Sequence, residues 1–129
     1  MRLAALCVLT LSGCSSSVGG GEGPFASEDD YRAQRAAAVA DLEETVGVPA
    51  ASRLEACQTI GLGERACGGP AAYAIYSTEA ADSVRVGVAA DRVTALDRLA
   101  NGHFEYVSTC VLLPPPPVAL RDGVCVAAR

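Results

Sequence analysis

Residues 57–77, CQTIGLGERACGGPAAYAIYS, contain two short apolar segments separated by a turn. Residues 57–63 favour a short strand or an extended segment. Residues 64–70 include two adjacent glycines followed by a proline, which is typical of a turn. Residues 72–76 are rich in Tyr and Ile and predict a second strand. This stretch therefore predicts two strands on either side of a tight loop.

A helix is predicted upstream of these strands, over residues 28–46. Ser27 can cap it with its side-chain oxygen, and three acidic residues follow in the first turn, where the helix dipole favours negative charge. Gly47 and Pro49 end the helical pattern. The apolar positions at helical spacing, which we assign to the core, are Tyr31, Ala38, Val39, Leu42 and Val46.

A second helix is predicted downstream of the strands. Asp82 or Ser83 can cap its start, and Asn101-Gly102 favours its end because both residues tolerate a left-handed backbone. Apolar residues recur at spacings of three to five along this segment. The predicted buried face comprises Val84, Val88, Val93, Leu96, Leu99 and Ala100.

The C-terminal part predicts further extended structure. Residues 106–113 favour a strand, and the prolines at 114–117 require an extended chain that cannot donate backbone hydrogen bonds. Residues 118–127 predict a hairpin that turns at Asp122-Gly123. The order of helix, strands, helix and strands predicts an α+β fold, with two helices packed on one face of a small antiparallel sheet.

The N-terminal residues predict export and attachment to a membrane. Residues 3–11, LAALCVLTL, follow Met1-Arg2 and have the length of a signal-peptide core, too short to span a bilayer. The sequence LSGC that ends at Cys14 resembles the lipobox of bacterial lipoproteins, a family in which this cysteine is acylated and the peptide is cut before it. The resemblance implies a signal peptide at 1–13, a lipidated Cys14 with a Ser/Gly-rich tether over 14–26, and a single domain at 27–129. Ser15 after the cysteine implies the outer membrane. The alternative is an ordinary secretory signal in which Cys14 is incidental.

Four cysteines remain once Cys7 and Cys14 are assigned to the signal and the lipid: Cys57, Cys67, Cys110 and Cys125. An even number in an exported domain predicts two disulfides with three possible connectivities. We expect Cys57–Cys67 and Cys110–Cys125, because each pair is nearest in sequence and brackets a turn. The alternative, Cys67–Cys110 with Cys57–Cys125, would join the two halves across the second helix. The spacings do not match the close cysteine pairs of zinc sites, so we expect no metal.

The composition and the remaining motifs disfavour several functional classes. The formal net charge of −5 argues against nucleic acid as a partner. The glycines at 61 and 63 fit a dinucleotide-binding pattern, but the turn residues that follow leave no room for the helix such a site needs, so we expect no cofactor. His103 is the sole histidine, and no G-x-S-x-G motif presents a serine beside it. We interpret His103 as a helix-end or surface residue and expect no enzymatic activity.

A second resemblance rests on motifs that recur in order. They are CGGP-x2-Y-x2-YS at 67–77, S-x-C at 108–110, a proline run, and G-x-C at 123–125. These blocks are similar to those of a family of small, uncharacterised bacterial lipoproteins and secreted proteins, over about residues 57–126. The resemblance implies a fold and a cysteine framework, and no reaction.

We therefore expect a lipid-anchored protein of the cell envelope with a non-catalytic binding or structural role. Its expected partner is the membrane, through the lipid, with another envelope protein as a further candidate. The candidate interaction loop comprises Glu64, Arg65, Gly68, Gly69 and Pro70. The alternatives are a small disulfide-braced periplasmic protease inhibitor, which would present this loop or residues 113–118, and a small hydrolase that uses His103.

Overall fold

A computed structural model of the protein describes residues 23–128. The helices are α1 (Glu28–Val46), a 3-10 turn (Leu54–Ala56) and α2 (Ser83–His103), and the strands are β1 (Cys57–Leu62), β2 (Ala72–Ser77), β3 (Val118–Arg121) and β4 (Val124–Ala127). The expected signal peptide, Cys14 and the tether up to residue 22 lie outside the described residues. Within residues 23–128, no helix is long and apolar enough to cross a membrane.

Capping side chains set the helix starts where the sequence predicts them. The Ser27 hydroxyl accepts a hydrogen bond from the Asp30 amide, and Asp82 accepts from the amides of Val84 and Arg85. Gly47, with φ of 57°, follows the last residue of α1, as expected from its position. Helix α2 continues past the predicted stop at Asn101-Gly102 and ends at His103.

The β1–β2 ribbon lies between the helices and the C-terminal hairpin. Its strands are antiparallel, with Cys57 opposite Ser77 and Leu62 opposite Ala72. Because side chains alternate along a strand, each face of the ribbon meets a different layer. Ile60 and Ala74 pack against the helices, whereas Ile75 packs toward the hairpin. The predicted α+β class is confirmed, but the strands form two separate two-stranded sheets instead of one.

The hairpin of β3 and β4 turns at the predicted Asp122-Gly123, where φ is 51° and 75°. It is tied to the loop after α1 because the amides of Ala51 and Cys125 donate to the carbonyls of Gly123 and Pro49. A first core lies between the two helices and the ribbon, around Leu42, Val86 and Val93. A second, smaller core forms between the hairpin and the ribbon. Its members are Ala51, Ala56, Cys57, Cys125 and their neighbours Ile75, Val118 and Leu120.

The two predicted disulfides are present, but the predicted pairing is wrong. Cys57 is bonded to Cys125 and Cys67 to Cys110, with Cα–Cα distances of 5.4 and 5.2 Å. Cys57 opens β1, whereas Cys67 lies in the loop beyond the opposite end of the ribbon. A strand advances by roughly 3.3 Å per residue, so β1 carries these two cysteines too far apart to bond. The alternative pairing is the one that the structure contains.

The expected strand at 106–113 is also absent. These residues form no ladder with the strands of the described part of the chain, although their backbone has no positive φ. The expected apolar face of α2 is only half correct: Val93 and Ala100 are buried and Leu96 packs against the core, but the other three residues are not. Val84, Val88 and Leu99 are 75%, 66% and 52% exposed. The buried residues of α2 are Val86, Ala90, Val93, Asp97 and Ala100.

Candidate functional site

The predicted interaction loop, residues 64–70, is a closed turn that follows β1. The Gly68 amide donates to the Arg65 carbonyl at 2.8 Å, and the Arg65 amide donates to the Gly69 carbonyl at 3.0 Å. Gly68 and Gly69 have φ of 93° and 80°, a region that favours glycine. The reciprocal hydrogen bonds therefore depend on glycine at both positions and give the loop a fixed shape.

Asp97 holds the start of this loop against both helices. Its carboxylate is 5% exposed and accepts from Tyr31 Oη at 2.9 Å and from Arg35 Nε at 2.7 Å, both on α1. It also accepts from Arg35 Nη2 at 3.2 Å and from the Glu64 amide at 3.1 Å. A Cβ atom on Gly63 would lie 2.3 Å from Asp97 Oδ2. Asp97 therefore joins α1, α2 and the loop. Residue 63 must be glycine because any side chain there would clash with the Asp97 carboxylate.

The electrostatics of this cluster favour a positioning role. Burial and the hydrogen bond to Asp97 raise the pKa of Tyr31 to about 12. The hydrogen bond with Asp97 raises the pKa of the Arg35 guanidinium, which therefore stays charged across the physiological range. Because both Asp97 oxygens already accept hydrogen bonds, the carboxylate serves to hold neighbouring elements together.

Glu64 attaches the loop to α2 a second time. Its carboxylate accepts from Arg98 Nη2 at 2.6 Å and Arg98 Nε at 2.9 Å. Its backbone carbonyl accepts from Asn101 Nδ2 at 2.8 Å. The loop is thus anchored to α2 by both its backbone and a side chain.

Residues 106–113, which we call the strap, lie over the loop. The Arg65 guanidinium donates to the carbonyls of Thr109 and Val111, the former at 2.9 Å. The Cys67 amide donates to Ser108 Oγ at 3.0 Å, and the Cys67–Cys110 disulfide joins the two segments covalently. The strap is therefore held by ionic hydrogen bonds and by a covalent bond.

A further contact fixes the end of the strap. Tyr73 Oη, from β2, donates to the Leu113 carbonyl at 2.9 Å. The proline run at 114–117 follows at once, so the chain leaves the site with restricted backbone angles. The loop at 64–70 and the strap therefore form one surface. The strap leads directly into residues 113–118, the other segment that the sequence suggested for a protease inhibitor.

The strap exposes several large apolar side chains. Val107, Val111 and Leu112 are 94%, 65% and 79% exposed. Large apolar side chains that are clustered and exposed on a braced segment are typical of interaction surfaces. The candidate interaction surface is thus the loop at 64–70 with the strap above it.

His103 lies away from this arrangement, at the end of α2. Its ring meets that of Phe104 at a centroid distance of 4.6 Å and that of Phe25 at 6.3 Å. Phe25, which the predicted boundary assigns to the tether, is 4% exposed and packs against Tyr31. The histidine is an exposed helix-end residue on an aromatic cluster, as its position in the sequence predicts.

Outside this surface, the structure has a further concave feature. A shallow apolar groove of about 330 Å³ runs between α1 and α2, beside Val84 and Val88. Within residues 23–128, no three His, Cys, Asp or Glu side chains are grouped so as to hold a metal ion. The groove does not bring together polar groups that point at a common position.

Sequence reasoning missed Asp97 and the role of Arg65. Asp97 had a detectable signal, because it is the one charged residue in a regular spacing of small apolar residues. That series is Val86, Ala90, Val93, Asp97 and Ala100, which follows the heptad positions of a packed helix. A charge at such a position indicates a buried, paired group. Arg65 had no comparable signal, because its acceptors, two carbonyls and the Thr109 hydroxyl, lie more than 40 positions away in the sequence.

No protein-family model, no curated protein and no solved structure matches this chain.

Proposed function

We propose that this protein is a lipid-anchored, non-catalytic binding module of the cell envelope, and that it binds its partner through the loop at 64–70 and the strap. The observation that carries the proposal is the construction of this surface. A disulfide, the Arg65 guanidinium and the Tyr73 hydroxyl hold the strap in place, while Val107, Val111 and Leu112 remain exposed. A segment fixed in advance loses little conformational entropy on binding, which favours affinity.

The use of the polar groups supports binding over catalysis. Asp97 accepts from Tyr31, Arg35 and the loop backbone, and Glu64 is paired with Arg98. Arg65 is directed at strap carbonyls. The charged groups near the surface are thus engaged in internal contacts, and the side chains offered to a partner are apolar.

The lipobox resemblance supplies the anchoring part of the proposal. A cysteine with several acyl chains is held stably at a membrane, because each buried methylene contributes about 0.8 kcal/mol. The Ser/Gly-rich residues 15–24 would span about 17 Å as a flexible chain, so the domain would stay close to the bilayer. A surface displayed there would meet other envelope proteins.

Metabolic labelling tests the anchor. Wild-type protein should carry a labelled fatty acid and sediment with membranes, and Cys14→Ala should lose both properties. Cys7→Ala is the matched control and should keep the label. A soluble, unlabelled wild-type protein would rule out the anchor.

Site-specific photocrosslinking in intact cells tests the binding surface. A benzophenone amino acid in place of Val111 should give discrete adducts of higher mass after irradiation. The same probe in place of Val84 is the control, because Val84 is also an exposed valine but lies at the start of α2. Equal adduct patterns at the two positions, or none at Val111, would contradict a binding role for this surface.

A braced extended segment also favours a second candidate, the small protease inhibitor. Cys67–Cys110 fixes the middle of the strap, and the prolines after Leu113 restrict its C-terminal end. Purified domain titrated against trypsin-like, chymotrypsin-like and subtilisin-like proteases should then block one of them stoichiometrically, with the strap left intact. Rapid cleavage within 106–118, or full residual activity of all three, would exclude this candidate.

A further inference from the structure

The strap has the alternating geometry of a β-strand. The side chains of Ser108 and Cys110 meet the loop, because Ser108 accepts from the Cys67 amide and Cys110 is bonded to Cys67. The Leu112 side chain lies beside Gly69 and is largely exposed. A Cβ on Gly69 would lie 3.6 Å from the Leu112 side chain. Side chains two residues apart share one face only in an extended chain.

The carbonyls show the same alternation. Those of Thr109, Val111 and Leu113 accept hydrogen bonds from Arg65 and Tyr73. The carbonyls of one edge of the strap are therefore satisfied by side chains of the domain. In a strand, the amide and carbonyl groups of the intervening residues point in the opposite direction.

That opposite edge is unoccupied within the described part of the chain. No hydrogen bond there reaches the amide or carbonyl of Ser108, Cys110 or Leu112, and no strand lies in register with them. A row of free donors and acceptors in an extended segment is a template for another strand. Each of β1–β4 has a partner strand along one of its edges, whereas the strap has a partner strand along neither edge within the described residues.

The ends of the edge are well defined. At its start, the Tyr106 amide is already used, because it donates to the Asn101 carbonyl at 3.2 Å. At its end, residues 114–117 are prolines and have no amide hydrogen to donate. An added strand could thus pair only along residues 107–113.

The chemistry of the edge and its surroundings identifies the occupant. Alternating amides and carbonyls are matched by an extended polypeptide backbone. Exposed Val107 and Val111 flank the edge and favour β-branched partners across it. The net charge of −5 favours a neutral or basic segment and opposes a second copy of this acidic chain.

We propose that the strap is a strand-addition site, at which an extended, β-branched, neutral or basic segment of another envelope protein pairs with the edge formed by Ser108, Cys110 and Leu112. This inference rests on the proposed binding function and specifies the class of partner. The Cys67–Cys110 bond holds the central residue of the edge and so fixes its position on the domain.

Adjacent proline substitutions separate the two edges. Leu112→Pro removes an amide from the open edge, whereas Leu113→Pro removes one from the edge that faces the domain. Leu112→Ala loses a side chain at the same position and keeps its amide. Each change is made in the full chain that carries the benzophenone probe at position 111, and peptide mapping confirms that Cys67–Cys110 is intact.

Leu112→Pro should reduce the adduct yield at least tenfold, and Leu113→Pro should keep it within about threefold of the parent. Leu112→Ala shortens one exposed side chain of the binding surface but keeps the amide, so it should reduce the yield clearly less than Leu112→Pro. Undiminished adducts in Leu112→Pro, or an equal loss in Leu113→Pro, would overturn strand addition while leaving the proposed binding function in place. An adduct with twice the mass of the chain would overturn the assignment to another protein. The absence of any adduct in the parent contradicts the binding function itself, which separates the two failures.

Discussion

The two disulfides of this domain lie in opposite environments. Cys57–Cys125 is within the small core between the ribbon and the hairpin, where the two residues are 4% and 3% exposed. Cys67–Cys110 lies at the surface, and both of its residues are exposed. The first bond joins elements that already pack together, whereas the second holds a segment with no strand partner in the described part of the chain.

This difference indicates that one bond secures the fold and the other secures the candidate site. The closed segments have sequence separations of 68 and 43. The chain-entropy model gives nearly the same contribution for both lengths, about 4 kcal/mol each. Any large difference between them must therefore come from packing in the folded state.

The largest effect is expected from the buried bond. Replacing Cys57 and Cys125 together with Ala should lower the free energy of unfolding by about 5 kcal/mol, because lost side-chain packing adds to the lost constraint. That is comparable with the whole stability of a small domain. Denaturant unfolding monitored by circular dichroism would measure it. A doubly substituted protein as stable as the parent would show that the hairpin is held by its other contacts alone.

The next effect concerns Asp97, which connects the core to the site. Asp97→Asn removes the charge that pairs with Arg35 while keeping the size of the side chain, and should cost about 3 kcal/mol. Asp41→Asn is the matched control, because its ion pair with Arg92 is largely exposed and should contribute less than about 1 kcal/mol. Equal losses for the two variants in denaturant unfolding would show that burial of Asp97 adds nothing.

The surface bond should have a smaller and more local effect. Replacing Cys67 and Cys110 together with Ala should cost about 2 kcal/mol, since the strap can open without unfolding the core. Hydrogen exchange should accelerate at the amides of residues 67 and 106, which donate to Ser108 Oγ and to the Asn101 carbonyl, and remain unchanged in β1 and β2. Faster exchange throughout the ribbon would contradict the division between a fold-securing and a site-securing bond.

The sequence predicted best those features that depend on neighbouring residues. The start of α1 follows from Ser27, and the hairpin turn follows from Asp122-Gly123, both local signals. Half of the buried face of α2 was mispredicted because small apolar residues occur on all sides of this helix. The spacing of apolar residues alone therefore did not distinguish the buried Val86 from the exposed Val84. A polar residue among them, Asp97, was the better indicator of the buried face.

The site was harder to predict because its contacts are long-range. The loop at 64–70 was recognisable from its glycines and proline, but the pattern of residues 106–113 is the same for a paired strand and for an open edge. Sequence proximity also favoured the wrong disulfides, since it ignored the length of β1 between Cys57 and Cys67. The resemblances to lipoproteins and to the family with the CGGP motif remain predictions.

The smallest effect sharpens the comparison by separating the hydroxyl of Tyr31 from the rest of the Asp97 cluster. Tyr31→Phe removes one hydrogen bond to Asp97 and should cost about 1 kcal/mol at neutral pH.

The folded-state pKa of about 12 lies above the ordinary tyrosine value of about 10, so the folded protein retains this proton to higher pH. The stabilisation is therefore complete below about pH 10 and is lost as the pH rises toward 12. Tyr31→Phe should reduce this alkaline loss without abolishing it, because burial also raises the pKa of Tyr106. Tyr76→Phe is the control, since Tyr76 packs on the helical core and its hydroxyl has no hydrogen-bond partner among residues 23–128. Unfolding curves between pH 8 and about 11.5 should be steeper in pH for the parent and for Tyr76→Phe than for Tyr31→Phe. If the free energy of unfolding falls equally with pH in all three proteins, folding does not raise the pKa of Tyr31.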